Sequence, residues 1–224
     1  MHLQNASIKY EGIAMAFYRL LAISISVGAV IFSGLLYWYQ WSAHALSDAE
    51  IDAYLSTIEA QAQSPGGKHD MIALRAFLES DDGRPVYTVN LYKFHDKATY
   101  PAGAGFTGTG EQAYDRFSKV MISLMVKRGS HPIYGSSWVD ASSDWDRIVV
   151  VRYRSRRDLV DLFATDAFAD ASLHKWASIR EHQRMLVQAT HIPHGKYLFF
   201  ILAFLASAAV YILIPFFTRS SAPS

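Results

Sequence analysis

The chain has 224 residues and no cysteine. That excludes disulfides, thiolate metal centres and cysteine nucleophiles. It is compatible with an oxidising compartment without requiring one. Excess charge is also missing: 21 Lys and Arg face 20 Asp and Glu, for a net charge of +1. So balanced a chain has no broad positive field to draw in nucleic acid, and it carries no basic arm or RNA-binding aromatic signature. Catalytic motifs are lacking too. There is no Ser-His-Asp order, no HExxH and no paired-carboxylate spacing in the sequence.

What is present is apolar sequence in two long runs. Leu20–Trp41 holds no charged residue over 22 positions, and Tyr197–Phe217 holds none over 21. A hydrocarbon core about 30 Å thick takes roughly 20 helical residues, so each run is long enough to span. Aromatic residues gather at the ends, with Tyr37, Trp38, Tyr39 and Trp41 in the first run and Tyr197, Phe216 and Phe217 in the second. Such belts belong at membrane interfaces. Ala43-His44-Ala45 fits a signal-cleavage pattern. The first run exceeds the usual signal core, however, and is read as an uncleaved anchor. Gly28 and Gly34 are not four apart, so no GxxxG dimer motif is expected.

The predicted organisation is a tail over 1–19, a span over 20–41, a helical linker over 42–84, a folded domain over 85–192, a span over 197–217 and a tail over 218–224. Lys9 and Arg19 precede the first span, whereas Asp48, Glu50 and Asp52 follow it. The positive-inside rule then puts both termini in the cytoplasm and the domain outside. For a bacterial-type inner membrane this means the periplasm. Arg180, Arg184 and Lys196 before the second span favour the opposite orientation, but the first two are assigned to the folded domain.

Between the spans the signals are those of a small α+β domain. Ser47 and Glu50 form a capping box for a helix to about Gln63, which "SPGG" (Ser64–Gly67) ends. A short helix follows over 69–80. "PVYTVNLYKF" (Pro85–Phe94) is rich in β-branched and aromatic residues and reads as a strand. Thr109 and Gln112 cap a helix to about Arg128, with Tyr114, Phe117, Met121 and Leu124 on its apolar stripe and Gly129 ending it. Two strands, 131–142 and 146–154, are joined as a hairpin. Ser155 and Asp158 cap a second helix carrying Leu159, Leu162 and Phe163. Asp166–Phe168 interrupts it before a continuation through Trp176 and Ile179, and Gln183–Ile192 is the last strand. The order βαββαβ is that of a ferredoxin-like split βαβ unit.

The ordered set "VNLYKF", "EQAYDRF", "WDRIVVVRYRS", "DAF" and the closing "REHQRMLV" resembles the dimeric α+β barrel superfamily. Within it, the set resembles the domain-of-unknown-function 1330 family, over about residues 70–190. Arg154 stands where that family often has proline, and the flanking spans are unusual for it. The resemblance implies a homodimer whose sheets pack face to face. It fixes no reaction. Relatives in the wider superfamily include cofactor-independent and haem-handling monooxygenases, and proteins that bind or isomerise small aromatic or lactone metabolites. No cofactor is expected, haem being the one the resemblance leaves open.

Several residues are candidates for chemistry. "GAGFTG" (Gly103–Gly108) matches GxGxxG, with Asp140 downstream, but "HDKATYPA" separates it from the strand. A dinucleotide site needs the glycines directly between strand and helix, so a loop is expected. His191 and His194 lack a third ligand nearby and are read as an interfacial turn, so no metal is predicted. Strand alternation puts Val86, Thr88, Asn90, Tyr92 and Phe94 on one face. An amide amid such a strand must find partners, either a ligand oxygen or a neighbouring side chain. Arg152 shares a face with Ile148 and Val150 and needs a carboxylate or an anion, while Tyr153 points to the core. His95 with Asp96, His174 and His182 are read as solvated.

A ligand pocket is therefore expected between sheet and helices near Asn90, Tyr114 and Trp138, with Arg152 a further candidate. The leading expectation is a membrane-anchored dimeric barrel binding a small apolar or aromatic ligand. The alternatives are a non-catalytic assembly subunit holding a membrane-protein partner, and a monooxygenase or isomerase using the same pocket.

The orientation is testable because the chain has no cysteine of its own. In intact cells an impermeant maleimide should label Ser142→Cys and leave Ser221→Cys unlabelled until lysis. The reverse pattern inverts the topology.

Overall fold

The computed structural model describes residues 2–40, 44–61, 69–137, 144–190 and 196–220. In chain order its elements are α1 (His2–Gln40), α2 (Asp48–Ala60), α3 (Met71–Glu79), β1 (Val86–Phe94), α4 (Gly110–Val126), β2 (His131–Ser137), β3 (Arg147–Tyr153), α5 (Arg156–Phe163), α6 (Asp166–Ser178), β4 (Ile179–Val187) and α7 (Lys196–Ser220). They form two units, one of residues 1–38 with 192–224 and one of residues 39–191.

The first unit is an antiparallel helix pair. Phe17 meets Tyr211 edge-on at 6.1 Å, and Phe32 meets Phe200 edge-on at 6.2 Å, so rising numbers in α1 face falling numbers in α7. Between those contacts Ser24 and Ala203 are buried. A Cβ on Gly28 would lie 2.0 Å from Ser207 Oγ and 3.1 Å from Ala203 O. Hence Ser24 and Gly28, four apart, face Ala203 and Ser207, four apart. This is a small-residue seam of the kind that lets apolar helices approach closely. The sequence reading sought a glycine pair and missed it, because serine and alanine supply the other small positions. Stretches Ala14–Gln40 and Lys196–Ile214 are long and apolar enough to cross a membrane. Residues 2–19, expected as a tail, continue α1: no proline interrupts the first 40 residues.

In the second unit α2 starts with the expected capping box of Ser47 and Glu50. The two helices of the predicted linker, α2 and α3, put Ile51, Leu55, Ile58 and Leu78 into the core of this unit. The sheet has the order β2-β3-β1-β4, with every neighbouring pair antiparallel. Val86, Thr88, Asn90 and Tyr92 of β1 are buried on one face. Across the ladder Asn90 sits opposite Val149 of β3 and Arg184 of β4, and Tyr92 sits opposite Arg147 and His182. Directly paired residues share a face, so this register fixes which side chains meet α4, α5 and α6. The other face presents Tyr87, Val89 and Leu91, and Tyr134, Met185 and Val187 are exposed beside them.

The second helix of the βαββαβ pattern is interrupted as expected, but at Ala164–Thr165: Asp166–Phe168 already forms the first turn of α6, which Thr165 caps by accepting from Phe168 N at 3.2 Å. The last strand differs from its sequence assignment. It starts at Ile179 directly after α6 and ends at Val187, not over 183–192. As an edge strand it pairs only with β1, and the polar "REHQR" at its start hides the alternation. β2 is described to Ser137, and the predicted continuation to Ser142 lies outside the described residues.

The small-residue seam carries a prediction. In a Phe17→Cys/Tyr211→Cys protein, a short thiol cross-linker should join α1 to α7. Adding Gly28→Leu should cut that yield severalfold, because the new side chain occupies the space of Ser207. An undiminished yield would show that the helices do not pair along this seam.

Candidate ligand-binding cavity

A cavity of about 670 Å³ lies between the sheet and the helices of the second unit. That is within the range of small-molecule sites. The sheet contributes Thr88, Asn90 and Tyr92 from β1, Val149 and Val151 from β3, and His182 and Arg184 from β4. The helices contribute Tyr114, Phe117, Met121 and Met125 from α4, Phe163 from α5, and Phe168 and Lys175 from α6.

Asn90 is 5% exposed and fully engaged by the protein. Its Nδ2 donates to Val149 O at 3.1 Å and Thr88 Oγ1 at 3.0 Å. A carbonyl can only accept, so the amide nitrogen must face Val149 and Oδ1 must be the acceptor. His182 Nε2 lies 3.1 Å from that oxygen and therefore presents its N–H there. Asn90 thus ties β3 to β4 across β1 and locks one tautomer of His182. The imidazole stacks on Tyr92 at 4.8 Å. Burial, then the charges of Lys175 and Arg184, push its pKa down to about 3, so it is neutral at ordinary pH.

The aromatic wall is continuous. Tyr114 lies 4.8 Å from Tyr92, 5.3 Å from Phe94 and 5.9 Å from Phe117. Burial raises the pKa of the Tyr92, Tyr114 and Tyr153 phenols above the usual range, so each remains a neutral donor.

Three basic residues line the cavity with His182, in different states. Arg147 lies over Phe94 and Tyr114 and is neutralised by Glu111 and by Asp115 at 3.3 Å. Arg184 is exposed on the edge strand and forms no ion pair among the described residues. Lys175 is 9% exposed, and its Nζ sits 4.8 Å from the Trp176 ring and 5.8 Å from the Phe117 ring. No carboxylate or hydrogen-bond acceptor meets it among the described residues. Burial first, and the Arg184 charge second, lower its pKa to about 7.

The sequence candidates divide as follows. Asn90 and Tyr114 line the cavity. Trp138 lies outside the described residues, as do Asp140, His191 and His194. Arg152 does not belong to the site. It is on the opposite face of the sheet, 2% exposed, donating to Gly129 O at 3.2 Å and Tyr39 O at 2.8 Å, with its guanidinium 3.8 Å from the Tyr39 ring. Neither the expected carboxylate nor an anion is needed, because carbonyls and an aromatic ring satisfy it. The glycine-rich segment is a loop, with Gly103, Gly105 and Gly108 at positive φ. His174 accepts from or donates to Tyr100 Oη at 2.8 Å, and Arg116 donates to that oxygen at 3.3 Å, which pins the loop against α4 and α6.

Lys175 is not singled out by the sequence, and His182, read there as solvated, instead lines the cavity bonded to Asn90. A signal for Lys175 exists: Phe168, Ala171, Ser172 and Lys175 recur at helical spacing and all are buried. His182 had no such signal, since its role follows from the β4 register.

Lys175 makes stability depend on pH. Its folded pKa, about 7, lies below the ordinary 10.5. Between those values the unfolded chain holds a proton that the folded one lacks, so this group's contribution rises with pH and is lost as pH falls towards 7. Lys175→Met should therefore raise the melting temperature of the full chain at pH 7 and flatten its rise between pH 7 and 10. A variant that melts earlier at pH 7 with an unchanged slope would contradict this.

No family model matches the chain, and no curated protein matches it. Among solved structures it is similar to the methylated RPA0582 protein, with 19% identity and a TM-score of 0.49, over 55% of this chain and 92% of that one. It is likewise similar to the RPA0582 protein of unknown function from Rhodopseudomonas palustris, a structural genomics target, with 18% identity and a TM-score of 0.48, over 56% and 95%.

Proposed function

We propose that residues 39–191 form a ferredoxin-like domain of the dimeric α+β barrel kind that binds a small apolar or aromatic ligand, held at a membrane by α1 and α7. The observation that carries this reading is the cavity itself. A space of about 670 Å³ walled by Tyr92, Tyr114, Phe117 and two methionines, with a few fixed polar groups among them, has the make-up of a ligand site. The strand order β2-β3-β1-β4 with β-α-β-β-α-β connections supports the ferredoxin-like topology. The exposed Tyr134, Met185 and Val187 on the open face of the sheet support pairing of two sheets. The apolar lengths of α1 and α7 support the membrane location, and the Lys and Arg distribution supports a periplasmic domain.

Native mass spectrometry of the full chain released from nanodiscs tests the reading in one measurement. The expected species is a dimer carrying a small organic molecule that collisional activation removes. An empty monomer as the only species would overturn it.

A further inference from the structure

We propose that the ligand of this cavity is an anion, a carboxylate above all, held by Lys175 and Arg184, with an apolar remainder lying along Phe117, Met121 and Met125. The inference rests on the ligand-binding reading and specifies its chemistry.

The argument is one of charge. The carboxylates on the cavity wall are committed elsewhere: Asp115 to Arg147, and Asp70 to the cap of α3, where it accepts from Ala73 N at 3.0 Å. Arg147 is thereby neutralised, and His182 is held neutral by Asn90 and its burial. Lys175 and Arg184 remain, both lining the same space, with no carboxylate on either among the described residues. An amine buried to 9% exposure without a partner weakens the fold. Aromatic rings compensate it in part. An entering anion would supply what the protein withholds at Lys175, where water is scarce and the attraction strong, while Arg184 meets it from an exposed position on β4.

The remaining geometry orients that anion. Gly110 N donates to His95 O just past the end of β1, so α4 runs back along the strand from there. Ser178 O accepts from His95 N, which puts Lys175, one turn earlier, towards the same end. Met121 and Met125 lie three and four turns into α4, towards the start of β1. Lys175 therefore stands at one end of the cavity and the methionines at the other, with Arg184 opposite Asn90 midway along β1. An amphipathic acid fits this, whether an alkyl acid drawn from lipid or an aromatic acid from the aqueous phase.

Binding of matched probes to the full chain in phosphatidylcholine nanodiscs decides the matter. The probes are decanoate and 4-phenylbutyrate, each beside its alcohol and its amine, titrated by calorimetry. The acids should bind at least tenfold more tightly than the alcohols, and the amines most weakly. A preference for decanoate identifies the lipid source, and one for 4-phenylbutyrate the aromatic source. Lys175→Met and Arg184→Met should each lose about tenfold in acid affinity with little change for the alcohols, and Lys175→Arg should retain most of it. Equal binding of acids and alcohols, or acid affinity unmoved in both Met variants, would overturn the anion while leaving the ligand cavity standing. Binding of none of the six would overturn both.

Discussion

The antiparallel pairing of β1 with β3 on one side and β4 on the other is the constraint on which the rest of the second unit depends. It makes β1 the central strand and fixes the row Arg147–Tyr92–His182 and the row Val149–Asn90–Arg184 across the sheet. A slip of one residue would turn Asn90, Tyr92 and their partners onto the open face. Asn90 reinforces the register at the side-chain level, because its amide nitrogen reaches the β3 backbone while its oxygen reaches a β4 imidazole. The residue that looks most like a ligand group in the sequence is thus spent on holding the wall in place.

The basic residues near the sheet show how context separates like side chains. Arg152 and Arg147 sit five positions apart on β3 and face opposite ways. The first is satisfied by carbonyls and a tyrosine ring, the second by two carboxylates. Arg154 forms an ion pair with Asp158 at 2.7 Å at the start of α5. Lys175 is buried against the Phe117 and Trp176 rings, with no carboxylate on it among the described residues. Burial of a cation without a counter-charge is costly in any fold, and the asymmetry between these residues is what gives the cavity its polarity.

Much of the architecture was legible in the sequence. The capping residues Ser47, Thr109 and Ser155 sit at the helix starts, and the alternation along Val86–Phe94 puts Val86, Thr88, Asn90 and Tyr92 on one face, the buried one. These are local signals, carried by hydrogen bonds within four residues or by a period of two. β4 starts earlier than its sequence assignment because its first residues, Arg180–Arg184, are polar on both faces and lack the alternation that marks a half-buried strand. The site was half legible. Asn90 and Tyr114 lie on strongly periodic elements, whereas Arg152 was misjudged because its partners, Gly129 and Tyr39, are carbonyls that no side-chain pattern announces. His182 enters the cavity through pairing with a strand some ninety positions away, and only the register reveals that.

Gly110 shows how such a site can hang on a side chain that is missing. A Cβ there would stand 2.4 Å from His95 O and 2.5 Å from Ser178 O. The first turn of α4 is thus in near contact with the end of β1 and the end of α6 at once. Lys175 and Phe117, which form the cationic end of the cavity, hang from the two helices that meet at this junction. The close approach of α4 to the ends of β1 and α6 therefore requires that position 110 carry no side chain. A methyl at this junction would press on two backbone carbonyls at once and pry α4 from the ends of β1 and α6.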